Sequence, residues 1–281
     1  MDYRVQITVS LVHITASVTD HRGLTVFGLE KEDFEIYENG VLQNIAYFEN
    51  ARGLPKQILI LLDVSGSMRI LDKISAAKGA IEILINVLHP EDRIKLVVFA
   101  DGELEEIANF ESSKNSIIEN LWKVRAFGKT ALRDAVIEAP KHSKIQGTFQ
   151  RCLLLISDGM DNASEMTLHE AIESARAVDL PIYSIGIDPL KGETVAPQKN
   201  QLTALKAMQT LSEETGGRFF HVKSSAEIQS ALDNMIRDLE NQYLMGFISN
   251  YSEQIGEHKI TVKCKKWRCT VRARKGYFVD N

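Results

Sequence analysis

Ile58-Leu59-Ile60-Leu61-Leu62-Asp63-Val64-Ser65-Gly66-Ser67 begins as an unbroken apolar run and ends in a string of oxygen-bearing side chains. Such a run predicts a strand buried on both faces, as in a parallel sheet. A helical period follows it. Ile74, Ala77, Ile81, Leu84, Ile85 and Leu88 recur every three or four positions, and His89-Pro90 ends the pattern. Ile94 to Phe99 reads as the next strand, and the turn pair Asp101-Gly102 predicts an antiparallel return over Leu104 to Phe110.

Helices are expected around Ile117 to Val124 and Leu132 to Ile145, then a buried strand at Cys152 to Ile156. Thr167 and Glu170 form a capping box for another helix, and Ile182 to Ile187 is a further parallel strand. A polar loop over 189–200 leads to a helix at Leu202 to Leu211 and a short strand at Arg218 to Val222. Ser224 and Glu227 cap a last helix that keeps Ile228, Leu232, Met235, Ile236 and Leu239 on one face. This alternation predicts an α/β fold over residues 56–242: a doubly wound, mostly parallel, Rossmann-like sheet flanked by helices.

The flanks, residues 1–55 and 243–281, read as β. Gln6 to Leu11 alternates, Phe34 to Glu38 runs into the turn Asn39-Gly40, and Val41 to Phe48 supplies a returning strand. Tyr243 to Ile248, Lys259 to Lys263 and Thr270 to Ala273 continue the pattern at the other end. The two flanks are expected to pack together as a small β domain, because chain ends often lie close.

Of the 281 residues 25% are charged, and the net charge of −5 leaves no basic footprint for nucleic acid or anionic lipid. The cationic group Lys263, Lys265, Lys266, Arg268, Arg272, Arg274 and Lys275 reads as the solvated face of a strand pair. No apolar run approaches the ~20 residues of a membrane span. Met1 to Ser10 lacks the basic-then-apolar layout of a signal peptide. Cys152 is expected in the core, and Cys264 and Cys269 are placed to face each other, with a disulfide as one outcome in an oxidising compartment.

Asp63, Ser65 and Ser67 alternate just beyond the first buried strand, where ligands bind in open α/β sheets. Gly66 lets that loop curl so that three oxygens meet. The second buried strand runs out into Ser157-Asp158-Gly159, bringing another carboxylate to the same edge, and Thr130 precedes a helix in the loop between. Asp63, Ser65 and Ser67 alone would also suit a helix cap. With Thr130 and Asp158 added, the all-oxygen set suits Mg²⁺, with Mn²⁺ and Ca²⁺ as alternatives, rather than zinc or copper. Three neutral hydroxyls leave such a cation electron-poor and receptive to an anionic ligand. Met68 and Arg69 are expected beside it, on the same top face.

Asp63-x-Ser65-x-Ser67 with Thr130 and Asp158 resembles the metal-ion-dependent adhesion site of von Willebrand factor A domains. The resemblance implies that the serines and the threonine contact the metal while the aspartates bind directly or through water. It also implies a protein partner that completes the shell with an Asp or Glu. The flanks, notably Gly28 to Gly40 and Val271 to Tyr277, are similar to a subgroup of bacterial von Willebrand factor A-related proteins, which implies an exported protein.

Other chemistries fit less well. Gly128-Lys129-Thr130 imitates the end of a phosphate loop, but Lys123 stands where the earlier glycine belongs. Asp161 lacks the distal Glu of a calcium loop and reads as a turn residue. A metal-dependent hydrolase is the first alternative, and it lacks a nucleophile, a general base or a lysine near the motif. An adaptor or homo-oligomeric assembly subunit is the second.

Overall fold

The computed structural model describes residues 11–143, 149–177, 179–187, 199–251 and 254–279. The strand expected from Gln6 therefore begins outside them, as does most of the loop over 189–200. In chain order the first strands are β1 (Leu11–Thr19), β2 (Phe34–Glu38), β3 (Val41–Gln43), β4 (Ile45–Asn50) and β5 (Lys56–Asp63). A 3₁₀ stretch, Gly66–Asp72, then leads into α1 (Lys73–Val87). Next come β6 (Arg93–Ala100), β7 (Glu103–Ala108), α2 (Lys114–Lys123), α3 (Leu132–Glu138) and β8 (Gln150–Ser157). The α/β alternation continues through α4 (Leu168–Ala177), β9 (Ile182–Ile187), α5 (Lys199–Thr215), β10 (Phe219–Val222) and α6 (Ser225–Leu239). The last strands are β11 (Tyr243–Ile248), β12 (Gly256–Cys264), β13 (Thr270–Arg272) and β14 (Gly276–Val279).

All eight residues of β5 are buried, as its apolar run predicted. The strand is central in the six-stranded order β10-β9-β8-β5-β6-β7, and only β7, at the edge, is antiparallel. Successive side chains of a strand point to opposite faces, so β5 feeds two cores. Ile58, Ile60 and Leu62 pack with Ile81 and Leu84 of α1 and with Leu232 and Met235 of α6. Leu59 and Leu61 pack with Val136 of α3, Ile172 of α4 and Leu211 of α5. Truncating a buried leucine here would cost about 2–5 kcal/mol.

The flanks form two four-stranded sheets, β13-β1-β11-β4 and β14-β12-β2-β3, rather than one. Both contribute to one core in which Ile14, Phe34, Ile36, Tyr243, Phe247 and Ile260 are buried together. The strand expected over Val41 to Phe48 divides: Val41–Gln43 pairs with β2, whereas Ile45–Asn50 pairs with β11 in the other sheet. Asn44, a poor strand former, marks the crossing. The helix expected over Leu132 to Ile145 also divides, into α3 and a 3₁₀ turn at Ala139–His142. Pro140 accounts for the break, since it has no amide hydrogen to continue an α-helical ladder. The strand Gly276–Val279 was not expected as a separate element.

Cys152 is fully buried, and Cys264 and Cys269 are free thiols at partly buried positions. Cys264 ends a strand of one flank sheet, and Cys269 precedes a strand of the other. Burial and the neighbouring Cys264 sulfur raise the Cys269 thiol above its ordinary range. The capping box of α4 is present: the Thr167 amide donates to Glu170 Oε2 at 2.7 Å, and the Glu170 amide donates to Thr167 Oγ1 at 3.2 Å.

Candidate metal centre

Parallel register sets the site. Leu62 of β5 stands beside Ile156 of β8, so Asp63 and Ser157 reach the carboxyl edge of the sheet together. Ser157 Oγ donates to Asp63 Oδ2 at 2.5 Å and also accepts the Gly159 amide at 2.9 Å. The other oxygen, Asp63 Oδ1, accepts the Ser65 amide at 2.8 Å, which curls the chain after β5. That curl brings Ser65 Oγ to 3.0 Å from Ser67 Oγ. Ser67 Oγ in turn donates to Asp158 Oδ1 at 3.1 Å. Asp63, Ser65, Ser67 and Asp158 are therefore joined in one chain of side-chain contacts, and Asp63, Ser65 and Asp158 are fully buried.

Thr130 is held in the neighbouring loop by backbone bonds. The Gly66 amide donates to Gly128 O at 2.9 Å and the Phe127 amide to Val64 O at 2.7 Å, stitching the two loops. On the far side Asn162 Oδ1 accepts the Thr130 amide at 3.0 Å, while Thr130 O accepts the Asn162 amide at 3.0 Å. Gly128 has a φ of +73°, and a Cβ on it would lie 2.1 Å from a carboxylate oxygen of Asp101. Only glycine lets the Asp101 carboxylate approach this closely, and Asp101 Oδ1 accepts the Lys129 amide at 2.6 Å.

Burial pushes the Asp63 carboxyl up to about 6, against the hydrogen bonds from Ser157 and Ser65; the charge of Asp158 adds to the rise. Lys73 Nζ lies 2.5 Å from Asp158 Oδ2, and both side chains are withdrawn from solvent. This corrects the expectation that no lysine lies near the motif. The cluster thus holds two buried carboxylates and one ammonium, one positive charge short of balance. Oxygen donors and a deficit of positive charge suit a hard divalent cation. Among the described residues no cluster of three or more His, Cys, Asp and Glu side chains that could hold a metal ion is present.

One neighbour differs from expectation. Met68 is fully buried and packs into the core below the sheet edge, so only Arg69 of that pair is exposed on the top face. The cause is local: the 3₁₀ turn over Gly66–Asp72 rotates Met68 inward, against Ile81 and Ile60. Asp161 closes a turn, its Oδ2 accepting Arg133 Nε at 2.9 Å and Ser164 Oγ at 2.8 Å. Ser157, Asn162, Asp101 and Lys73 are the supports that the motif alone did not reveal. Ser157 was legible as the register partner of Asp63, and Lys73 as a cation at the unfavourable end of a helix.

The class defined by this geometry is a doubly wound α/β domain with an oxygen-lined cluster at the carboxyl edge of its central strands. Residues 58–160 match the family model of the von Willebrand factor type A domain, and the chain carries such a domain. An uncharacterized protein of Borreliella burgdorferi is 23% identical over 195 residues, 63% of this chain and 57% of that protein. The match thus spans less than two thirds of that relative. Among solved structures, BatB from Bacteroides thetaiotaomicron superposes with a TM-score of 0.53 at 20% identity, over 66% of this chain and 98% of that one. A von Willebrand factor type A protein from Catenulispora acidiphila gives 0.52 at 13%, over 91% and 76%. The corresponding domain of the type V pili tip protein Mfa5 from Porphyromonas gingivalis gives 0.53 at 12%, over 66% and 94%. These likenesses establish the fold.

Proposed function

We propose that this protein is a non-enzymatic binding module that engages an acidic residue of a partner protein through a divalent cation, Mg²⁺ in the first instance. Asp63, Ser65, Ser67, Thr130 and Asp158 would hold the ion. The observation that carries the reading is the contact chain from Asp63 through Ser65 and the half-buried Ser67 to Asp158, with its two buried carboxylates one positive charge short. Bound there, the cation supplies an open position for a partner carboxylate. The protein's own part is to fix the donors: Ser157 orients Asp63, the Gly66–Gly128 bond sets the spacing of the two loops, and Asn162 anchors Thr130.

The fold shared with Mfa5, a pili tip protein, supports an interaction role at the level of architecture. The serine hydroxyls of the cluster are engaged with one another and with the two carboxylates, and the ammonium of Lys73 is committed to Asp158, which favours binding over hydrolysis. Isothermal titration of the metal-free protein with MgCl₂ or MnCl₂ tests the reading. One equivalent should bind, and Asp63→Ala should abolish the heat while the circular dichroism spectrum is kept. A wild-type protein that binds neither ion would refute it. Partner capture should then require the metal and be reversed by chelator.

A further inference from the structure

Lys73 occupies the first position of α1 and is 5% exposed. A cation there faces the positive end of the helix dipole, and its ammonium has also lost most of its water. Both penalties are offset by one partner, Asp158 Oδ2 at 2.5 Å. The other oxygen of that carboxylate, Oδ1, accepts Ser67 Oγ at 3.1 Å and the Met160 amide at 3.1 Å. Asp158 is thus divided between an internal cation and the hydroxyl cluster.

We propose that Lys73 is a built-in rival of the divalent cation, which trades affinity for the metal against affinity for an anionic ligand. This inference rests on the metal-binding reading above. Charge counting gives its logic. Asp63, Asp158 and Lys73 sum to one negative charge, so a loaded dication leaves the buried site at one positive charge. Without Lys73 the loaded site would be neutral. The lysine therefore repels the incoming metal and at the same time makes the loaded site more attractive to a carboxylate. In the metal-free protein it keeps the Asp158 carboxylate neutralised and in place.

The test compares wild type with Lys73→Met and Lys73→Gln, which remove the charge and shorten the side chain by one atom, and with Lys73→Arg, which keeps charge. Mn²⁺ is titrated calorimetrically into each protein, and thermal melting is followed in EDTA. The expected result is an Mn²⁺ affinity raised roughly tenfold in both neutral variants, with a lower melting point in EDTA. Lys73→Arg should stay near wild type in affinity. Acetate added to the Mn²⁺-loaded proteins should bind the neutral variants more weakly than wild type. A merely structural lysine would lower metal affinity and stability together, so an equal or weaker affinity in both neutral variants overturns the proposal and leaves metal binding standing. Absence of Mn²⁺ binding in every protein, wild type included, overturns both.

Discussion

Ser157 and Asp63 end neighbouring parallel strands, and the serine hydroxyl donates to Asp63 Oδ2 while it accepts the Gly159 amide. One hydroxyl thereby links the first carboxylate of the cluster to the loop that carries the second. Ser157→Ala leaves a buried carboxylate oxygen and a buried amide without their partner. It should destabilise the protein by about 1–3 kcal/mol, read as a shifted urea midpoint, and weaken Mg²⁺ binding. An unchanged midpoint would show that water replaces the hydroxyl without loss.

The raised Asp63 carboxyl predicts how the metal-free protein responds to pH. Its folded value of about 6 lies above the ordinary 3.8, so the folded state retains a proton that the unfolded chain releases between those values. The stabilisation from this group is complete below about pH 4 and is lost as pH rises through about 6. Asp63→Asn removes that loss, on the order of 3 kcal/mol. In EDTA at pH 8 the variant should melt at or above wild type, with the gap closing near pH 4. Added MgCl₂ should raise only the wild-type melting point. A variant melting far below wild type in EDTA at pH 8 would contradict the assignment.

Gly128→Ala places a methyl group into the Asp101 carboxylate at a positive φ. The loop bearing Thr130 must then move away from Gly66 or adopt a strained backbone, at about 1–3 kcal/mol. The melting point should fall and metal affinity should fall with it. Asp101→Ala removes the steric conflict, so in that background the added harm of Gly128→Ala should shrink. Equal harm in both backgrounds would locate the effect in the backbone alone.

Glu214 joins the α/β domain to the flank sheets, accepting from Arg176 and from Lys275 Nζ at 2.9 Å. Burial alone would raise this carboxyl, but Lys275 and Arg176 outweigh it and hold it below its ordinary value of 4.5. A lowered value in the folded state means stabilisation that is present above the ordinary value and lost as pH falls through the folded one. Glu214→Gln should lower the urea midpoint at pH 7.5 by an amount equivalent to about 1–2 kcal/mol, with the difference from wild type disappearing near pH 3. A difference that persists at pH 3 would assign the effect to packing.

Much of the α/β architecture was legible because its signals are local. The run Ile58 to Leu62, the helix period from Ile74 to Leu88 and the turn Asp101-Gly102 each act over a few residues. Asp63, Ser65, Ser67 and Asp158 were legible as a group because they lie at or within a few residues of the ends of two buried strands. What stayed hidden depends on partners distant in sequence. Lys73 and Asp158 are 85 residues apart, and no local pattern pairs them. Val41 to Phe48 contains no Gly or Pro, and Asn44 alone is a weak local sign that the chain changes sheets there. Met68 follows the motif directly, yet the tight turn points it into the core.

The pairing of β1 with β11 has a consequence for assembly. Leu11 meets Ile248 and Ala16 meets Tyr243, so this ladder closes only after more than two hundred intervening residues have been organised. Closing so long a loop in an unstructured chain is slow, because its entropy must be lost before any contact rewards it. Once the α/β domain has folded, it holds β5 and α6 in place and the loop is effectively short. The flank sheets are therefore expected to form last, as a clasp that latches only over a finished domain. Truncation before Tyr243 would leave β1 with no strand to latch onto.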